Sequence, residues 1–73
     1  MHMSNNRVFG INLKHMRKKR KMTQDDLSKK VGLSRRTISL YETGTIENIS
    51  FKTVDILCKE LGVEYTELFQ NCG

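Results

Sequence analysis

The sequence predicts an all-α fold, a compact bundle of five short helices. Three observations predict it. The chain of 73 residues contains no proline, where about 5% is usual. Apolar residues recur at helical spacing in separate stretches, and no stretch shows the sustained alternation of a strand. Serine or threonine stands before several of these stretches and glycine after them, the residue types that cap helices. A chain this short forms one domain. With 37% hydrophobic and 29% charged residues, it carries enough apolar content for a core rather than a disordered chain.

The first helix is expected from about Val8 to Arg20, with Phe9, Leu13 and Met16 as its apolar stripe and Ser4, Asn5 or Asn6 as its cap. The basic run Lys18-Lys19-Arg20-Lys21 suits a helix C-terminus, where the backbone dipole favours cations. Thr23 caps the second helix, with Asp26 placed for a reciprocal capping box. Leu27 and Val31 face inward, and Gly32 ends the helix. Ser34 caps a third helix, Arg35 to about Thr43, with Ile38 and Tyr41 inward and Gly44 as the stop. Ser50 caps a fourth, Phe51 to Leu61, whose apolar positions are Phe51, Val54, Leu57, Cys58 and Leu61. After Gly62 a short fifth helix runs from Glu64 to Phe69. The expected organisation is a disordered tail over residues 1–6, a domain over 7–70 and a C-terminal tail over 71–73, with the glycines serving as punctuation.

Charge is spread unevenly. The formal net charge is +5, yet residues 1–36 carry +9 and residues 37–73 carry −4. One half is suited to polyanions and the other is not. No stretch approaches the ~18 consecutive apolar residues of a membrane span, and no apolar signal-peptide core follows the N-terminus. A cytoplasmic protein is therefore expected. There, a disulfide between Cys58 and Cys72 is disfavoured. Cys58 reads as a small core residue and Cys72 as a terminal free thiol. Two histidines and two dispersed cysteines make no metal site, and no G-x-S-x-G or H-E-x-x-H pattern is present. An enzyme, a cofactor and a small-molecule substrate are not expected.

The informative stretch is residues 23–44. It reads as two short helices joined by a tight turn at Val31-Gly32-Leu33-Ser34, the helix-turn-helix pattern. Ser28 is small where the two helices approach, and Leu27, Val31, Leu33 and Ile38 supply an apolar lock. Around it stand Leu13-x-x-x-Arg17, Thr23-Gln24-x-x-Leu27-Ser28, Ile38-Ser39, Glu42-x-Gly44 and Leu61-Gly62-Val63. In this order and spacing the chain resembles the phage repressor and Cro helix-turn-helix family, often called Xre-like, from about Phe9 to Phe69. The resemblance implies a lambda-repressor-like DNA-binding domain that lays the second helix of the motif in the major groove of a double-stranded DNA operator.

The site residues follow from that placement. The first residues of a recognition helix reach the base edges. Here they are Arg35 and Arg36, and a two-pronged arginine contact to guanine is worth about 1–3 kcal/mol of discrimination. At least one of the two is expected on a base, without a ranking between them; the other reading leaves one on phosphate only. Ser39 and Leu40 lie one turn further along. Leucine departs from the polar residue the family often carries there, and it either packs on a thymine methyl or is a partly buried helix residue. Thr37 either contacts DNA or supports the cap. The resemblance assigns phosphate contacts to Gln24, at a helix N-terminus suited to anions, and to the segment Thr43-Gly44-Thr45. Lys18, Lys19, Arg20 and Lys21 either add attraction or form a solvated face. The family pattern pairs Arg17 with Glu42 as an internal ion pair.

Val63, Tyr65, Leu68 and Phe69 are either core packing for the fifth helix or, with the fourth, a homodimer interface that sets two recognition helices about 34 Å apart. The expected function is a sequence-specific transcriptional regulator, a repressor or autoregulator acting as a homodimer. With no ligand domain in 73 residues, it would respond through its own concentration, as a phage repressor, an antitoxin or a restriction–modification controller. The run Glu47-Asn48-Ile49-Ser50 is similar to the corresponding stretch of controllers. An RNA- or protein-interaction module on the same fold is the lesser alternative, because RNA readers expose aromatics for stacking and these aromatics fall at core or interface positions. A membrane-surface role is disfavoured because the basic residues do not share one amphipathic face.

Overall fold

Helix ends in this chain are fixed by local chemistry, and the five helices pack because their buried faces are continuous. The computed structural model describes residues 5–46 and 48–70. Cys72, most of the expected N-terminal tail, the C-terminal tail and Glu47 lie outside the described residues. The order is α1 (Asn5–Lys19), α2 (Gln24–Val31), α3 (Arg35–Thr43), α4 (Phe51–Leu61) and α5 (Tyr65–Phe69). No strand occurs among the described residues. The expected all-α, five-helix fold is the observed one.

Thr23, Ser34 and Ser50 accept the N3 backbone N–H of α2, α3 and α4 through their hydroxyls. The C-termini of α1 to α4 close alike, each through a residue of positive φ: Lys21, Gly32, Gly44 and Gly62. After α1 the Lys21 amide returns to the Lys18 carbonyl and the Met22 amide to the Arg17 carbonyl, in the same way. This pairing satisfies carbonyls the helix would otherwise leave open.

α1 begins three residues before the expected Val8 and stops one residue before Arg20. A first turn that precedes the first buried residue carries no apolar periodicity, so its start was not visible as a stripe. Asn5 and Asn6 lie inside the helix rather than before it. Arg7 in that turn is braced by the end of α3: a Cβ on Gly44 would stand 3.1 Å from the Arg7 Cα.

The core unites Phe9 and Leu13 of α1, Leu27 and Val31 of α2, Ile38 and Tyr41 of α3, Val54, Leu57, Cys58 and Leu61 of α4, and Leu68 of α5. Burial raises the pKa of the Cys58 thiol, with Asp55 and Glu67 adding to the effect. Phe51, expected inward on α4, is instead 72% exposed. It occupies the first position of the helix, ahead of the turn that meets the core.

Two α1 residues set the packing and were not singled out by periodicity. Gly10 is buried, and a methyl group there would collide with the carbonyl oxygens of Tyr41 and Glu42, the latter at 2.7 Å. It is therefore a close-approach residue and not punctuation. Asn12 is 1% exposed, and its Nδ2 donates to the carbonyls of Leu68 and Gln70, both at 2.8 Å. That side chain closes the C-terminal end of α5, a helix too short to hold itself.

Gly10→Ala is expected to lower unfolding free energy by about 3 kcal/mol, because backbone on α3 must move to admit the methyl. Gly32→Ala, with open space around the added carbon but a φ of +73°, is expected to lower it by only about 1–2 kcal/mol, the cost of the left-handed backbone to an L side chain. Chemical denaturation of both variants checks the ordering.

Candidate nucleic-acid interface

α2 and α3 form a helix-turn-helix. Ser28 is buried and satisfies its hydroxyl on the Asp25 carbonyl at 2.8 Å, so α3 can approach α2 without an orphaned polar atom. Leu27, Val31 and Ile38 are buried and Leu33 packs against them. The expected apolar lock is in place.

The outer face of α3 follows from its buried one. Ile38 and Tyr41 point inward. Arg36, Ser39, Leu40 and Thr43 recur at i, i+3, i+4 and i+7 and line the opposite side. Arg35 and Arg36 are exposed, Ser39 and Leu40 half-buried and Thr43 exposed. Arg36 heads the outward stripe and Arg35 stands at its edge. Among the described residues neither arginine enters an ion pair.

The threonines are already hydrogen-bonded. Thr37 gives its N–H to the Ser34 hydroxyl and shares a second bond with it at 2.8 Å, which fits the cap-supporting reading. Thr43 donates to the Leu40 carbonyl and pairs with Thr45 at 2.7 Å. Thr43, the last residue of α3, and Thr45 just beyond it are exposed.

Behind this face lies a buried polar cluster. Arg17 grips Glu42 with two prongs, Nε to Oε2 at 2.6 Å and Nη2 to Oε1 at 3.0 Å. The side chains are 7% and 3% exposed. Nη1 of Arg17 donates to the Met22 carbonyl at 2.7 Å. The Gln24 side chain, expected on phosphate, also joins this cluster: its Nε2 donates to Oε1 of Glu42 at 3.1 Å. One carboxylate therefore ties the end of α1, the start of α2 and the end of α3.

At the start of α2, Thr23 and Asp26 make the reciprocal capping box, at 3.0 Å and 2.9 Å. The backbone N–H of Thr23, and then its hydroxyl, hold the Asp26 carboxyl below the usual carboxylate range. The N–H groups of Gln24 and Asp25, N-terminal to the first bonded turn, have no intrahelical acceptor.

Arg20 is placed differently from its lysine neighbours. Its Nη2 lies 3.0 Å from where a Cβ on Gly62 would stand, so the guanidinium covers the C-terminal end of α4, where a cation is favoured. Lys18, Lys19 and Lys21 are exposed.

The residues expected at an interface on α5 divide. Leu68 is fully buried within the protomer and is core, so it offers no surface to a partner. Val63 and Phe69 are half-buried against the core. Tyr65 is 46% exposed and stacks between Phe51, with centroids 5.6 Å apart, and Phe69, at 4.9 Å. Phe51, expected in the core, belongs to this exposed stack. These rings, with Asn6, Asn48, Ile49, Ser50 and Val54, line a groove of about 440 Å³. No helix among the described residues is long and apolar enough to cross a membrane.

Removing either member of a buried ion pair leaves its partner uncompensated. Arg17→Ala and Glu42→Ala are each expected to cost about 3–5 kcal/mol of stability; melting curves like that of the unaltered protein would contradict this. The Asp26 carboxyl is expected to titrate below exposed carboxylates when followed by NMR. Its folded-state pKa is depressed, so its stabilising contribution is full above the ordinary carboxylate range and is lost as pH falls through the lowered value.

A family profile described as helix-turn-helix matches residues 13–68. The antitoxin PezA of Streptococcus pneumoniae serotype 4 is 36% identical over 61 residues, which is 84% of this chain and 38% of the antitoxin. The chain thus spans well under half of that relative's length. The restriction–modification controller protein C.AhdI from Aeromonas hydrophila superposes with a TM-score of 0.83 at 28% identity, covering 92% of this chain and 100% of the controller. The hydroxypropylphosphonic acid epoxidase from S. wedmorenis superposes at 0.88, with 21% identity over 99% of this chain and 38% of the epoxidase. That likeness is one of fold alone. With the motif, its capped helices and a matching profile over most of the length, the chain belongs to the helix-turn-helix family of DNA-binding regulators.

Proposed function

We propose that this protein is a sequence-specific transcriptional regulator that binds a double-stranded DNA operator as a homodimer and acts as a repressor or autoregulator. The observation that carries the reading is the outward stripe of α3. It is headed by the exposed Arg36, with the exposed Arg35 at its edge, and held from behind by the Arg17–Glu42–Gln24 cluster. α3 lies in the major groove, with Arg35 and Arg36 on base edges and Ser39 and Leu40 beside them. Gln24 and the exposed Thr43 and Thr45 contact phosphate. Thr37 contributes through the cap.

The homodimer forms through α4 and α5. Val63, Tyr65 and Phe69 belong to that surface, and exposure adds Phe51 to it. Leu68 supports it from within. A regulator of the controller or antitoxin kind is the narrower reading, favoured because C.AhdI is matched over its whole length and PezA at 36% identity.

Selection of bound duplexes from random DNA tests the reading. A palindromic half-site pair about one helical turn apart is expected. Arg35→Ala or Arg36→Ala is expected to relax base preference at one position by about 1–3 kcal/mol, while Gln24→Ala weakens binding to all sequences alike. Unchanged base preference in both arginine variants would contradict the placement of α3. Sedimentation that stays monomeric on operator DNA would contradict the homodimer.

A further inference from the structure

We propose that Glu42 is a positioning residue for DNA binding: it orients the Gln24 amide toward phosphate and, neutralised by Arg17, allows a phosphate to approach. The inference rests on the reading of Gln24 as a phosphate contact.

The geometry argues it in three steps. A glutamine side chain has two amide N–H donors and several rotamers, and a free one loses conformational entropy when it grips an anion. Here one N–H is already committed to Oε1 of Glu42 at 3.1 Å. That fixes the amide plane and leaves the second N–H to act with the open backbone N–H groups of Gln24 and Asp25. Glu42 cannot wander, because Arg17 holds both of its oxygens and is itself tied to the Met22 carbonyl. Met22 immediately precedes the Thr23 cap of α2, so the anchor and the anion seat share one short stretch of backbone.

A carboxylate one hydrogen bond from the anion seat would repel phosphate. The guanidinium against both oxygens cancels that repulsion at short range, where screening by salt is least effective. A neutral hydrogen-bonding residue at position 42 would orient Gln24 less firmly, because a charged acceptor makes the stronger bond. A merely structural ion pair would hold the helices together but would leave the effect of Gln24 on DNA untouched.

A double-mutant cycle on affinity separates the two. Binding of the full chain to a mixed-sequence DNA duplex is measured at about 50 mM salt, below the unfolding temperature of every variant, for Glu42→Gln, Gln24→Met and both together. Glu42→Gln is expected to weaken binding about tenfold, the scale of one hydrogen bond to a charged group, and to add nothing once Gln24 is Met. Equal losses in both backgrounds, or no loss from Glu42→Gln, would overturn the proposal. If Gln24→Met leaves affinity unchanged, the phosphate contact itself is wrong and the proposal falls with it. Arg17→Lys supplies a second readout that does not depend on Glu42→Gln folding. It keeps the charge but loses the two-pronged hold, so the Gln24 side-chain amide is expected to become more mobile by NMR relaxation and binding weaker. A Gln24 amide as rigid as in the unaltered protein, together with weaker binding, would overturn the proposal.

Discussion

The Arg17–Glu42 pair is the contact on which the arrangement of the helix-turn-helix depends. Two ions with side chains 7% and 3% exposed have surrendered most of their hydration, and such a pair adds stability only when geometry is good and the remaining donors are satisfied. Both conditions hold. Arg17 spends two nitrogens on the carboxylate and a third on the Met22 carbonyl, and Glu42 takes a further donor from Gln24. An apolar pair of similar volume could match the stability. It could not dictate where the ends of α1 and α3 and the start of α2 must meet, because apolar contacts are not directional.

Around that polar anchor the apolar packing sets the distance between elements. Gly10 allows the α1 backbone to lie against the carbonyls of Tyr41 and Glu42, which brings Glu42 within reach of Arg17. Phe9 then packs edge-on against Tyr41 of α3 and stacks on Phe69 of α5, while Asn12 closes the end of α5. The outward side chains of α3 take no part in this framework. They can vary without disturbing the core.

Much of this was legible in the sequence because it is local. Caps, glycine stops and the 3.6-residue spacing gave α2, α3 and α4 their bounds, since each depends on residues within one or two turns. Arg17 and Glu42, twenty-five positions apart, were legible only through resemblance to a family pattern. The rest depends on contacts between distant elements. Gly10 looks like any glycine until α3 is laid across it, and Asn12 looks like a solvated polar residue until the Leu68 and Gln70 carbonyls end beside it. The choice between core and surface for Leu68, and the exposure of Phe51, depend on such contacts too. Periodicity marks a residue as apolar at helical spacing, but not whether a neighbouring helix covers it: Leu68 of α5 is turned into the core, while Phe51 at the start of α4 stays 72% exposed.

The uneven charge resolves into separate functions. Arg17 is committed to the fold through Glu42 and Arg20 lies against the end of α4, whereas Arg35 and Arg36 face outward. The central claim, that the buried cluster presents α3 to the major groove, is tested most directly by a structure of the protein bound to its selected duplex. An Arg35 or Arg36 guanidinium is expected within hydrogen-bonding distance of guanine O6 and N7, with the Arg17–Glu42 pair intact behind it. An α3 outside the groove, or a Glu42 released from Arg17 on binding, would contradict it.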